Sequence, residues 1–214
     1  MEVQQVRIGS KSSPGRRVAA EAAPDVARLA FEASRRAEAM GIVDEGVSSA
    51  DVGAIRQLAN RVRRAGIATS AADLLNNVET PSAGELADLL GMVIAALEAS
   101  PAPRFEWNGM VRVFGPDELA PLVNVSVSSL KRYQAGERET PDDVAARLHW
   151  LALTVGDLAG SYNDIGIRRW FHRKRERLDG RAPIAFLRGD WDPDDDGPTR
   201  VRELAHELIS LSAT

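Results

Sequence analysis

The segment from Pro116 to Leu153 constrains the fold more than any other part of the chain, because it contains short helical patterns at a characteristic spacing. Asp117–Val123 predicts a first helix, and Pro116 stands in its first turn, where a missing N–H costs little. Asn124 follows at a position that needs a tight turn, and Asn tolerates a left-handed backbone. The pattern therefore predicts a short helix followed directly by a tight turn.

A second helix is predicted after this turn. Ser126 is a suitable N-cap because its hydroxyl accepts an orphan backbone N–H, and Gly136 ends the helix Val127–Ala135. A long third helix starts near Thr140, and the small Ala120 allows the first two helices to approach closely. The apolar positions expected to lock the first two helices together are Leu119, Val123, Val125, Leu130 and Tyr133. Two such helices at this spacing are typical of a helix-turn-helix.

The outward face of the second helix is polar, and in motifs of this kind that helix lies in the DNA major groove. Hydroxyls and cations suit phosphates, whereas Arg, Lys and Gln suit base edges. The residues predicted to contact DNA are Ser126, Ser128, Ser129, Lys131, Arg132 and Gln134. The alternative is an ordinary helical hairpin with a solvated polar face.

Composition bounds the remaining possibilities. A chain of 214 residues holds one large or two small domains, and the absence of cysteine excludes disulfides and thiolate chemistry. The net charge of -4 argues against general affinity for nucleic acid. However, residues 126–181 contain 11 Lys/Arg against 8 Asp/Glu, whereas residues 182–214 contain 3 against 7. This distribution favours a regulator that binds particular sites.

No enzymatic or membrane signature is found in the sequence. No acid, base and nucleophile can be assembled into a catalytic site, and no glycine loop suits a phosphate, so we expect neither an enzyme nor a cofactor. His149 is expected on a helix surface, and the three histidines lack metal-ligand spacing. The first residues lack the apolar core of a signal peptide, and the longest apolar run is too short for a bilayer. We therefore expect a cytoplasmic protein without a membrane partner.

The acidic segment Asp192–Glu203 has the oxygen spacing of a calcium-binding EF-hand loop, with Gly197 at the sharp turn. Pro193 and Pro198 fit this loop poorly, and Thr199 stands where an aliphatic residue is usual. A solvated acidic loop is the favoured interpretation, and no metal site is predicted.

The rest of the chain divides into regions of different composition. Residues 1–23 are polar and are expected to form a flexible tail. Residues 24–100 show helical periodicity and are expected to form an accessory or dimerisation region, with helices over 24–40, 51–64 and 70–78. A fourth helix follows Ser82, which with Glu85 has capping-box spacing. The expected fold class is therefore mainly α.

A small β-hairpin is expected before the helix-turn-helix. Asn108-Gly109 lies inside the apolar segment Phe105–Val113, and Asn-Gly fills a type I′ turn. We expect this hairpin to pack on the helix-turn-helix, so that residues 104–158 form one DNA-binding domain.

The region after the third helix, residues 161–214, contains RRWFHRKRERLDGRAPIAFLRGD and a closing helix from Thr199 to Leu211. The characteristic residues of this region, in the order in which they follow along the chain, are Trp170, Leu178, Gly180, Pro183, Ile184 and Leu187. Together with SVSSLKRYQAGERETPDDVAARL, this order resembles the Xre/ParS/MbcA class of antitoxins over about residues 110–214. The resemblance implies an Xre-like helix-turn-helix and a C-terminal α-helical toxin-binding domain.

The resemblance further implies a DNA-binding antitoxin of a type II toxin-antitoxin system. Such a protein neutralises a RES-type, NAD-degrading toxin by direct binding and represses its own operon. The implied toxin-binding residues are Trp170, Arg173, Arg177, Pro183 and Leu187. Expected partners are operator DNA, a cognate toxin and a second copy in a homodimer. The alternatives are a stand-alone, prophage-type repressor without a toxin and a protein-binding module that has lost DNA binding.

The basic run from Arg168 to Arg177 has three interpretations. Its cations contact DNA phosphates, face an acidic toxin surface, or form a solvated helix face around an apolar anchor, Trp170-Phe171.

Overall fold

A computed structural model of the chain describes residues 23–211, and this part is mainly helical. The flexible tail expected for residues 1–23 lies outside the described residues except for Ala23. The four N-terminal helices are α1 (Ala23–Ala39), α2 (Val52–Arg64), α3 (Thr69–Asn77) and α4 (Ala83–Glu98). The four central helices are α5 (Pro103–Phe114), α6 (Pro116–Leu122), α7 (Val127–Gln134) and α8 (Asp142–Leu158). The C-terminal elements are α9 (Asp164–His172), two 3-10 helices (Glu176–Leu178 and Pro183–Phe186) and α10 (Asp196–Leu211).

The N-terminal helices begin and end within one residue of the predicted bounds for α1, α2 and α3. Side chains cap two of them. Asp51 accepts a hydrogen bond from the Ala54 N–H at 2.9 Å, at the start of α2. At the start of α4, Ser82 accepts from the Glu85 N–H, and the Ser82 N–H donates to the Glu85 carboxylate at 2.8 Å. The predicted capping box is therefore present.

The expected β-hairpin at Phe105–Val113 is wrong, because this segment forms the helix α5 and the described residues contain no strand. Trp107, Met110 and Phe114 recur at helical spacing and are buried in the core. Gly109 is needed for close contact rather than for a turn: a Cβ atom there would lie 2.5 Å from the Ala39 carbonyl oxygen of α1. Tertiary packing thus overrides the local preference of Asn-Gly.

Helix α8 is the centre of the fold. Most of its residues from Val144 to Leu158 are buried, and α1, α5 and α10 pack against it. One hydrophobic cluster runs from Val26 in α1 to Ala205 in α10. The N-terminal helices therefore share a core with the rest of the chain.

A buried hydrogen-bonded pair joins α4, α5 and α8. His149 is only 6% exposed, so the expectation of a surface histidine is wrong. Its Nε2–H donates to the Glu98 carbonyl at 2.9 Å, and its Nδ1 is hydrogen-bonded to the Glu106 carboxyl at 2.6 Å. Burial raises the pKa of Glu106, while the bond to His149 opposes this. The imidazole satisfies polar groups that the core would otherwise leave unpaired.

No single helix within residues 23–211 is long and apolar enough to cross a membrane. Among the described helices, only α4 and α5 taken together reach the length and apolar composition of a membrane span, and they are bent by 84° relative to each other.

The contact at Gly109 predicts opposite effects for the same substitution at two helical glycines. Gly109→Ala forces a methyl group against the α1 backbone, and we expect it to lower the free energy of unfolding by about 1–3 kcal/mol. Gly91→Ala is the matched control, because Gly91 lies in α4 with no atom within 4 Å of an added Cβ. It should raise stability by about 0.5–1 kcal/mol. Urea denaturation measures both, and equal effects would contradict the close packing of α1 and α5.

Candidate nucleic-acid interface

A tight turn joins α6 to α7. Asn124 adopts the predicted left-handed backbone, with φ at 57°. The Val125 N–H donates to the Ala120 carbonyl at 2.9 Å, which closes the end of α6. Ala120 and Leu119 are buried, and α6 packs against α7. The angle between α6 and α7 is thus set by the turn and by close packing.

Ser126 caps α7, as predicted. Its hydroxyl accepts a hydrogen bond from the Ser129 N–H at 3.1 Å, and it also lies 3.0 Å from the hydroxyls of Ser128 and Ser129. The three serines therefore form one connected group at the start of α7. Because the Ser126 hydroxyl is occupied by the cap, its first role is to hold the start of the helix.

Aromatic packing holds α7 against α5, and the same tryptophan ties α5 to the segment before α8. Tyr133 stacks on Trp107 with ring centroids 5.8 Å apart and an interplanar angle of 16°. Trp107 Nε1–H donates to the Thr140 hydroxyl at 3.0 Å, just before α8. The buried Leu130 completes the inner face of α7. These contacts leave the opposite face of the helix free.

The free face of α7 carries three of the six residues predicted to contact DNA. Ser128, Lys131 and Arg132 are exposed, and neither cation forms an ion pair with a carboxylate in the described part of the chain. Ser129 is half-buried. Gln134 is also half-buried, and its amide donates to the Asn108 side chain at 2.9 Å. Lys131 and Arg132 are therefore the most available groups.

Carboxylates limit the positive area. Glu137 and Glu139 are exposed directly after α7. At the start of α6, where the helix dipole favours acids, Glu118 lies 2.6 Å from His172 of α9. Arg112, on the exposed side of α5, lies one helical turn beyond Asn108. The exposed cations of α7 therefore form a small group bordered by carboxylates rather than a broad basic surface.

A cleft that sequence reasoning missed lies beside the α6–α7 turn. Its volume is about 620 Å³, and its lining includes Val125, Ser126, Ile184 and Arg188. The residues come from segments far apart in sequence, so no local pattern marks the cleft.

Three of the five implied toxin-binding residues are buried. Trp170, Pro183 and Leu187 are buried among the C-terminal elements. They therefore lie beneath the surface that a toxin would contact. Arg177 is exposed and bonded to Glu207, which raises the pKa of Arg177. Arg173 is exposed without a carboxylate within ion-pair distance among residues 24–208.

The EF-hand spacing does not produce a loop that wraps a cation. Asp196 begins α10, and Glu203 lies within that helix. The Asp195 carboxylate accepts from the Asp192 N–H at 2.8 Å. Across the described residues, no group of three or more His, Cys, Asp or Glu side chains is placed to hold a metal ion.

Comparison of the chain with protein-family models, with curated proteins and with solved structures found no match.

The serine cap predicts a local stability difference. Ser126→Ala leaves an N–H of α7 without its acceptor, and we expect it to reduce the free energy of unfolding by about 1 kcal/mol. Ser128→Ala is the matched control, because its exposed hydroxyl bonds only to Ser126, and it should change stability by less than about 0.5 kcal/mol. Thermal denaturation distinguishes the two variants. Equal losses would show that Ser126 has no special capping role.

Proposed function

We propose that this protein is a sequence-specific DNA-binding regulator in which α6 and α7 form a helix-turn-helix. The observation that carries the proposal is the outer face of α7, where Ser128, Lys131 and Arg132 project from a helix that is capped and packed on its other side. A helix fixed in this way presents its first turns to base edges in the major groove. Lys131 and Arg132 supply phosphate or guanine contacts.

The surrounding charges support recognition of particular sites rather than general coating of DNA. The net charge of the chain is -4, and Glu137 and Glu139 stand directly after α7. Such charges weaken non-specific attraction to phosphates, which is mainly electrostatic. Binding then depends on the few contacts that α7 makes, which is the behaviour expected of an operator-binding repressor.

We further propose that the protein acts as the antitoxin of a type II toxin-antitoxin system, neutralising a RES-type toxin and repressing its own operon. The support is the resemblance over residues 110–214. Of the six residues that carry it in the C-terminal region, all except the exposed Gly180 are buried. A stand-alone, prophage-type repressor is the alternative. The two differ in whether a toxin is encoded beside this gene.

Operator binding tests the role of α7. Arg132→Ala should weaken binding to DNA from immediately upstream of the gene by at least about tenfold, because a bidentate base contact is worth roughly 1–3 kcal/mol. The protein should remain folded, since Arg132 is exposed. The matched control is Arg64→Ala, an exposed arginine in α2 outside the candidate interface. Fluorescence anisotropy gives both affinities, and an unchanged affinity for Arg132→Ala would remove this residue from the interface.

Co-expression with the product of the adjacent gene tests the antitoxin proposal. We expect a stable complex that relieves the toxicity of that product. The Arg132→Ala variant is the internal control, because it should still relieve toxicity while repressing the operon less. Tight binding to upstream DNA without any complex would instead leave the stand-alone repressor.

A further inference from the structure

Helix α9 and the residues directly after it carry exposed cations that form no ion pair with the described residues. The basic run separates into two groups in the structure: Arg175 stacks over the Trp170 ring at 5.2 Å, and Arg177 is bonded to Glu207. The exposed cations for which no carboxylate of the described residues lies within ion-pair distance are Arg168, Arg169, Arg173 and Lys174. These four residues therefore have unsatisfied charge directed to the outside.

Two large apolar side chains lie at the start of the same region. Ile165 is 54% exposed and Tyr162 is 38% exposed, and both are among the five most exposed large hydrophobic residues of the described chain. Ile165 precedes Arg168 and Arg169 by three and four positions, so these three side chains share one face of the helix. A phosphate backbone offers little to an exposed Ile, whereas protein interfaces place apolar anchors inside a charged rim. The face therefore suits a protein partner with carboxylates.

The same chain supplies a complementary acidic segment, Asp192–Asp195. Asp192, Asp194 and Asp195 are exposed. Among the described residues, the Asp192 carboxylate accepts a hydrogen bond only from the Asp194 N–H, and the Asp195 carboxylate only from the Asp192 N–H. No cation of residues 24–208 lies within 4 Å of these three carboxylates. Their negative charge is available to a second molecule.

Hydrogen bonds of the neighbouring residue Trp191 to the protein interior fix the start of the acidic segment. The preceding Trp191 donates its indole N–H to the Leu122 carbonyl at 2.8 Å, and its own carbonyl accepts from Arg147 of α8 at 2.6 Å. A segment fixed at this point loses little freedom when a partner binds. Both patches are thus presented on well-anchored elements.

We propose that the α9 face, defined by Ile165, Arg168 and Arg169, binds the Asp192–Asp195 segment of a second copy of this chain. A two-fold axis lets each copy contribute both patches, so that the contact forms twice. This inference deepens the proposed function, because a dimer brings two α7 helices to the two halves of an operator. The apolar residues anchor the interface, and the charges select orientation and make it sensitive to salt.

Charge reversal tests the pairing in the absence of DNA. Sedimentation of the full chain should show a dimer at low ionic strength that dissociates as salt rises. Arg168→Glu with Arg169→Glu, and separately Asp194→Lys with Asp195→Lys, should each raise the dimer dissociation constant at least about tenfold. An equimolar mixture of the two variants should form a heterodimer, because each variant then meets the opposite charge. Circular dichroism confirms that each variant is folded.

The matched control is Arg61→Glu with Arg64→Glu, two exposed arginines of α2, which should leave the dimer unchanged. A monomeric wild-type chain at all concentrations would overturn the proposal, as would failure of the mixture to restore association. Anisotropy with upstream DNA, measured separately, distinguishes the two proposals. If α9 reversal abolished DNA binding but not self-association, the face would be a phosphate contact and the dimer proposal would be wrong.

Discussion

The rest of the structure depends on the burial of α8. A helix that is buried on nearly every side must satisfy its polar side chains inside the protein, since an unpaired buried group costs more than a hydrogen bond contributes. Arg147, His149 and Asp157 each reach a different part of the chain, whereas the Thr154 hydroxyl donates to the Trp150 carbonyl within α8. Arg147 bonds to Asp190 at 2.6 Å, and Asp157 lies 3.6 Å from Arg36 of α1. These contacts specify where the N-terminal helices and the C-terminal segment must lie.

This central helix also positions the candidate interface. The indole N–H of Trp107 donates to Thr140, just before α8. The face of the same ring stacks on Tyr133 of α7. The orientation of α7 is therefore tied to the core rather than to the turn alone. On the other side, Gly109 lets α5 lie directly on α1. A chain of close contacts thus leads from the N-terminal helices to the residues proposed to read DNA.

The parts that sequence reasoning predicted well are those whose signals are local. The cap at Ser126, the left-handed turn at Asn124 and the glycine after α7 each act within a few residues, and the structure contains all three. The prediction of a hairpin at Asn108-Gly109 was wrong because contacts between distant segments decide the structure there. Asn-Gly is a strong local signal, but the burial of Trp107 and neighbouring apolar residues against α1 and α8 outweighs it.

Exposure could not be derived from sequence order. Trp170 and Leu187 mark the C-terminal region in the sequence, yet they are buried, whereas Ile165 is apolar and exposed. His149 depends on Glu106, which is 43 residues earlier, and no local pattern links them. The exposure of Ser128, Lys131 and Arg132 was predictable because helical periodicity assigns the inner and outer faces of α7. Surfaces built from distant segments need the tertiary structure.

The central claim is that α7 reads DNA. Its most direct test is hydrogen–deuterium exchange of the full chain with and without a duplex from immediately upstream of the gene. We expect protection to concentrate in residues 126–138 and to disappear as salt rises, because phosphate contacts are screened. Protection confined to α10 or to the N-terminal helices, or no protection by any upstream duplex at low salt, would contradict the account.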